Sequence, residues 1–165
     1  LYVPETQGAL ANVLLLGGPL VNNAGSTGGR QPGMRLRGAV NTFIYNTAVR
    51  GYDVGCVRID DAKVGSSTIN SFVGLTNVPG ECTGGFYATA RQANTSVNSG
   101  AGTVTVDAAY ALTEAGATVP APGIPAINNG SDFVFDNTDY VGAVKPGTAA
   151  ANTWWADWII EGSLD

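Results

Sequence analysis

The apolar residues of this chain gather in short stretches with a period of two. Met34 and Leu36 alternate with Arg35 and Arg37, and Val57 and Ile59 alternate with Arg58 and Asp60. Alternation of this kind places one set of side chains on each face of a strand. The pattern predicts two short strands with Met34, Leu36, Val57 and Ile59 turned inward. Further strands are expected over residues 72–75, 85–88, 104–106 and 133–135. Residues 93–102 are rich in Asn, Ser and Gly and read as a loop or short insertion. Residues 108–117 (AAYALTEAGA) carry good helix formers, with Asp107 as N-cap and Gly116 as stop, and predict one short helix. Pro120, Pro122 and Pro125 then force an extended connector.

Like segments recur along the chain. Residues 12–17, 46–51 and 70–74 each open on Asn, place an apolar residue three positions on, and close on Gly. Residues 33–36 align with residues 55–59, 22 positions later, with one residue inserted. The second and third Asn segments lie 24 apart. Two strands in so short a period leave no room for the crossover helix of a βαβ unit, which takes about 30 residues or more. A meander permits the spacing, but only a parallel β-helix requires like segments to return once per coil, each rung about 4.8 Å above the last. The recurring asparagines have two open readings, as amide ladders inside the coil or as ordinary turn formers on its surface.

Composition narrows the functions available. Gly numbers 23, His is absent, and charged residues make up only 13% of the chain. Eight scattered basic residues against 13 acidic ones give a net charge of −5, the wrong balance for a nucleic-acid partner. Without His there is no imidazole base and no His metal ligand. The longest apolar run is broken at Gly17, Gly18 and Pro19, far short of the ~20 residues that span a bilayer. The opening Leu1-Tyr2-Val3-Pro4 reads as a processed protein or, preferably, as part of a longer one. Cys56 and Cys82, 26 positions apart, do not fit a C-x-x-C motif. They read as one disulfide between neighbouring coils in an oxidising compartment, with two buried free thiols as the alternative.

Several groups invite a chemical reading. Asp60 and Asp61 are the one adjacent acidic pair and suit acid–base work on a polysaccharide, but neighbours on a strand face opposite ways and a turn explains them better. Arg35, Arg37, Arg50 and Arg58 offer a stripe for acidic glycans, or a surface network paired with carboxylates, which is the preferred expectation. Asp132, Asp136 and Asp139, with Asn137, could supply hard oxygen ligands for calcium, but they match neither an EF-hand loop nor the Gly-rich calcium nonapeptide, and a solvated strand edge is the preferred expectation. Trp154, Trp155 and Trp158 read as a cap over the last coil or as a contact for a sugar or a partner chain. Two N-x-S sequons, at Asn94 and Asn129, carry little weight in so Asn-rich a chain. The paired glycines lack any phosphate-loop context.

The run Gly33-Met34-Arg35-Leu36-Arg37, then Ile44-Tyr45-Asn46 with Val49, then Cys56-Val57-Arg58-Ile59-Asp60-Asp61, resembles the closing coils of a group of secreted, largely uncharacterised β-helix proteins of Gram-negative bacteria. Phe133, Asp139-Tyr140-Val141-Gly142-Ala143-Val144 and the tryptophans resemble their terminal F…DYIGAV…WW-x-x-W signature. The resemblance implies a fold and an export route but brings no catalytic residues. The expectation is therefore a single mainly β domain over residues 1–165: a right-handed parallel β-helix of a few coils over about residues 8–107, then an extension with a short helix and a Trp-rich cap. The expected role is non-enzymatic: an exported structural or interaction protein, secreted or at the cell surface or outer membrane, docking through its coil ends. Other subunits, or upstream coils, would cover its first rung. The alternative is a carbohydrate-binding or polysaccharide-degrading protein. No cofactor is expected beyond the calcium reading.

Overall fold

The computed structural model describes residues 7–17, 31–37, 40–60, 72–113, 135–136 and 138–158. Short strands carry the fold: β1 (Gln7–Ala11), β2 (Leu14–Leu16), β3 (Met34–Leu36), β4 (Asn41–Tyr45), β5 (Ala48–Arg50), β6 (Val57–Ile59), β7 (Phe72–Thr76), β8 (Pro79–Glu81), β9 (Thr95–Val97) and β10 (Gly100–Ala101). All strand pairing between them is parallel. They form three stacks, ordered β1-β4-β7-β9, β2-β5-β8-β10 and β3-β6, the last extended by a bridge from Val57 to Tyr87. The chain visits the stacks in one fixed order and then returns to the first, one strand further along. The mainly β expectation holds, and the sheets are parallel.

The alternation read at β3 and β6 is the one observed. Met34 pairs with Val57, Arg35 with Arg58 and Leu36 with Ile59. Met34, Val57 and Ile59 are buried with Ile44, Val49, Val73, Leu75, Val78 and Phe86 in one apolar core between the stacks. The expected repeat needs correction, however. Asn41 pairs with both Gln7 and Phe72, and Gly74 pairs with Thr95, so successive strands of the first stack lie 34, 31 and 21 positions apart. Asn70, offered as the third recurring Asn, lies outside the described residues, and the residue that matches Asn12 and Asn46 is Asn77.

What does recur is the corner between the first and second stacks. Two residues join β1 to β2, β4 to β5, β7 to β8 and β9 to β10, and each corner opens on Asn: Asn12, Asn46, Asn77 and Asn98. All four adopt the left-handed conformation, with φ of 53°, 47°, 52° and 48°. Asn tolerates that region better than other side-chain-bearing residues, which is why the sharp bend keeps this residue type. The next corner is closed by Gly17 and Gly51, whose N–H groups donate to the carbonyls of Arg50 and Glu81 at 2.8 and 2.9 Å. At Gly51, φ is +81° and an added methyl would strike the Gly17 carbonyl oxygen.

Further expectations change. Residues 93–102, read as a loop, hold β9 and β10. The expected strand over residues 85–88 is reduced to the bridge at Tyr87, and that over 104–106 to an antiparallel bridge between Val106 and Leu112. Residues 133–134 lie outside the described residues, and Phe135 belongs to no strand. Within the described part of the expected helix, residues 108–113 turn sharply instead. The Asp107 carboxylate accepts from the N–H groups of Ala109 and Ala111, at 2.8 and 3.0 Å. Tyr110 takes a φ of 58°, and Thr113 N–H returns to the Thr105 carbonyl. A side chain that satisfies two local amides serves a tight turn as well as a helix start. Here burial of Ala109, Ala111 and Leu112 decides for the turn.

The described residues beyond β10 do not add to the stacks. Val104, Leu112 and Val141 bury against Ala48, with Leu14 and Val106 beside them. Leu14 and Ala48 are register partners in the second stack, so this C-terminal part lies along its outer side. A short 3-10 turn, Ala150–Asn152, precedes the tryptophans. Among the described residues no helix is long and apolar enough to cross a membrane, which says nothing about crossing by strands.

Candidate functional site

Four features concentrate the chemistry: a polar spine along the Asn corner, an ion-pair cluster on the third stack, an aromatic group on the C-terminal part, and the ends of the first stack. The spine follows from the corner geometry. Parallel strands about 4.8 Å apart bring equivalent amides within hydrogen-bond reach. Asn77 Nδ2 donates to Asn46 Oδ1 at 3.0 Å, and Asn46 Nδ2 donates to Thr138 Oγ1 at 3.1 Å. Thr138 Oγ1 then donates to Asn12 Oδ1 at 2.7 Å, and Asn12 Nδ2 donates to the carbonyls of Tyr140 and Gly142 at 3.0 and 3.2 Å. Of the two readings left open for the asparagines, both apply at Asn12, Asn46 and Asn77, where turn formers are also the ladder, whereas Asn98 is an exposed turn former. The sequence reading missed that Thr138 is built into it. Gly142 N–H also donates to the Asn46 carbonyl at 2.8 Å, so residues 138–142 strap the corner of the first two circuits.

The ion cluster comes from the outward positions of β3 and β6. Arg35 and Arg58 stack as register partners, a repulsive placement unless a carboxylate joins them. Asp60 does so, with Arg35 Nε at 3.0 Å from Oδ2 and Arg58 Nε at 2.8 Å from Oδ1. Partial desolvation alone would raise the Asp60 carboxyl. The hydrogen bonds and charges of Arg35 and Arg58 outweigh it and hold the group below the usual aspartate range. A general acid needs the opposite shift, so Asp60 is poorly matched to that role. The preferred expectation, carboxylate pairing rather than an open cationic stripe, is the arrangement found at Arg35 and Arg58. Arg37 is exposed beyond β3, and Arg50 sits on the second stack, away from the other three. Asp61 lies outside the described residues.

Because the folded carboxyl is depressed, the stabilisation it gives is full above the unfolded value of about 4 and is lost as pH falls through the lower folded value. Asp60→Asn is therefore expected to lower the urea midpoint at pH 7. The gap between the two proteins should then shrink progressively as the pH is taken below about 4. A gap that stays constant from neutral to acid pH would exclude an ionised Asp60 as its origin.

The disulfide is present. Cys56 and Cys82 are bonded, with Cα atoms 5.5 Å apart, and the bridge joins the β5–β6 connection to the segment after β8. It therefore links consecutive circuits. Trp155 meets the Tyr110 ring edge-on at 6.1 Å and Trp154 at 5.2 Å. Trp154 and Trp158 stand 69% and 83% exposed. A second aromatic group, not anticipated from sequence, lies on the first stack, where Phe43 packs at 5.1 Å from Phe72 over Gly74.

Of the calcium candidates, Asp136 is exposed and Asp139 pairs with Lys145 at 3.4 Å, while Asp132 and Asn137 lie outside the described residues. Among the described residues no three acidic or cysteine side chains gather as a metal site would need. Asn94 is exposed, and its Oδ1 accepts from Val73 N–H at 2.9 Å; Asn129 lies outside the described residues.

Among the described residues the first stack reaches solvent at both ends, β1 and β9. Leu10, Ile44, Leu75 and Ser96 form one register row facing the core. Ile44 and Leu75 are wholly buried, whereas Leu10 is 50% exposed. At the opposite end the row closes on a small polar residue, Ser96. This row thus ends on an apolar residue at β1 and on a polar one at β9, where the neighbouring Val97 is also 50% exposed. The chain matches no family model, no curated protein and no solved structure.

Proposed function

We propose that the three stacks are the walls of a right-handed parallel β-helix, and that the protein is an exported structural or interaction module which docks another chain on its β1 end. The observation that carries this reading is Leu10, half exposed in a row whose next two members are fully buried. An apolar row that ends in water, on a strand that pairs on one side only among the described residues, is a template for strand addition. At the β9 end the same row closes on the exposed polar Ser96, with Thr95 and Asn98 also exposed and Val97 beside them 50% exposed, so the row itself offers no apolar terminus there. Right-handedness is supported by the strong preference of parallel crossover connections for that hand. Export is supported by the Cys56–Cys82 bond, since disulfides persist in oxidising compartments. A cell-surface setting in a Gram-negative bacterium, with kinship to the secreted family of similar motifs, completes the proposal.

The test is self-association, with a second copy as the docked chain. Sedimentation velocity over a range of concentrations should show assemblies of the wild-type protein that grow with concentration. Leu10→Asp, which places a charge at the end of the row rather than in the closed core, should remain monomeric with unchanged circular dichroism. A wild-type protein that stays monomeric throughout, or a Leu10→Asp variant that assembles equally well, would overturn self-docking at this end.

A further inference from the structure

The tryptophans lie on the C-terminal part and raise a separate question. Two tandem turns display them: Ala156 N–H donates to the Thr153 carbonyl, and Trp158 N–H to the Trp155 carbonyl at 2.8 Å. Thr153 anchors the first turn, buried and with Oγ1 donating to the Ala150 carbonyl at 2.9 Å. Trp155 is wedged between Tyr110 and Trp154, which fixes the group on the Asp107 turn beneath it. The fold thus spends Trp155 and Tyr110 on holding the group, and leaves Trp154 and Trp158 in water.

We infer that Trp154 and Trp158 form a binding site for a neutral glycan, stacking their indole faces on pyranose rings. Size favours a small ligand over a protein. An indole side chain offers about 150–250 Å², so two rings at these exposures present roughly 230–380 Å², against the ~800 Å² each partner contributes to a stable protein interface. Charge selects the kind of ligand. In sequence the exposed charged residue between the two tryptophans is Asp157, and the nearest cation along the chain, Lys145, pairs with Asp139. Such a surface repels anionic sugars and leaves apolar sugar faces for the rings, with Asp157 and Asn152 as hydrogen-bond partners for hydroxyls.

Tryptophan fluorescence of the full chain, titrated with cellohexaose, xylohexaose, maltohexaose and chitohexaose, tests the site. At least one of these should give a saturable change in emission, and hexagalacturonate should give none. Trp154→Ala and Trp158→Ala should each weaken that binding by about tenfold, the loss usual for an aromatic anchor. Both side chains are exposed, so circular dichroism and the disulfide should be unchanged; Trp154→Phe and Trp158→Phe should restore part of the affinity. The inference is overturned if none of the four neutral hexasaccharides binds, if hexagalacturonate binds better than they do, or if the double alanine variant binds as the wild type does. It is also overturned if that variant abolishes self-association, since the indoles would then be a protein contact. Loss of assembly in Leu10→Asp with glycan binding retained separates this site from docking at the β1 end.

Discussion

Cys56→Ala/Cys82→Ala is expected to lose about 3 kcal/mol of stability, a fall in melting temperature of roughly 6–12 °C for a chain of this size. The bridge closes a loop of 26 positions, and its loss returns that loop's freedom to the unfolded chain. It also releases the two circuits it joins, because Cys56 lies in the core beside Val49 and Phe86 while Cys82 packs at its margin. Thermal melts with and without a reducing agent provide the check. The reduced wild type and the double variant should melt together, and both well below the oxidised protein. A reduced protein that melts within a degree or so of the oxidised one would mean that stacking alone fixes these circuits.

Asn46→Ala should be comparably damaging, for different reasons. Asn46 is buried, at φ 47°, and joins the ladder on both sides. Alanine removes the acceptor of Asn77 Nδ2 and the donor to Thr138 Oγ1, and a buried polar group left without a partner costs about 1–3 kcal/mol. The left-handed backbone adds about 1–2 kcal/mol for a residue with no side-chain hydrogen bond to support it. The expected total is about 2–5 kcal/mol, measured by urea unfolding. Asn46→Gly relieves the backbone part alone and should recover about 1 kcal/mol. Asn98→Ala, at the exposed last corner, should cost only that backbone part. Hydrogen exchange at Gly142, whose N–H donates to the Asn46 carbonyl, should quicken in Asn46→Ala if the strap is held by the ladder. Unchanged protection there would show that Val141 and its apolar neighbours hold the strap without it.

The parts of the fold legible in the sequence are those decided by neighbours two residues apart. At β3 and β6 the alternation of Met34, Leu36, Val57 and Ile59 with charged residues gives faces, pairing and the ion cluster together, because a strand's two faces are written directly in its sequence. The period was harder to read. The Asn corner is always two residues long, but the other connections vary, as between the 17-residue link from β2 to β3 and the six residues from β5 to β6. Offsets of 34, 31 and 21 therefore hide a repeat that a fixed period cannot find. A search for Asn two residues after Leu10, Ile44 and Leu75 would have found its first three members.

The sequence by itself determined that the chain is mainly β, and it led to the expectation of parallel strands that return and of a Cys56–Cys82 bond with two free thiols as the alternative. These follow from local alternation and from chain length between like segments. Only the tertiary structure decided that residues 108–113 turn rather than form a helix, that Thr138 completes a ladder begun 126 positions earlier at Asn12, and that Trp154 and Trp158 face solvent. In each case the outcome depends on a distant surface that the segment meets. Propensity and spacing describe a residue's neighbours in the chain, whereas burial and hydrogen bonding depend on its neighbours in space.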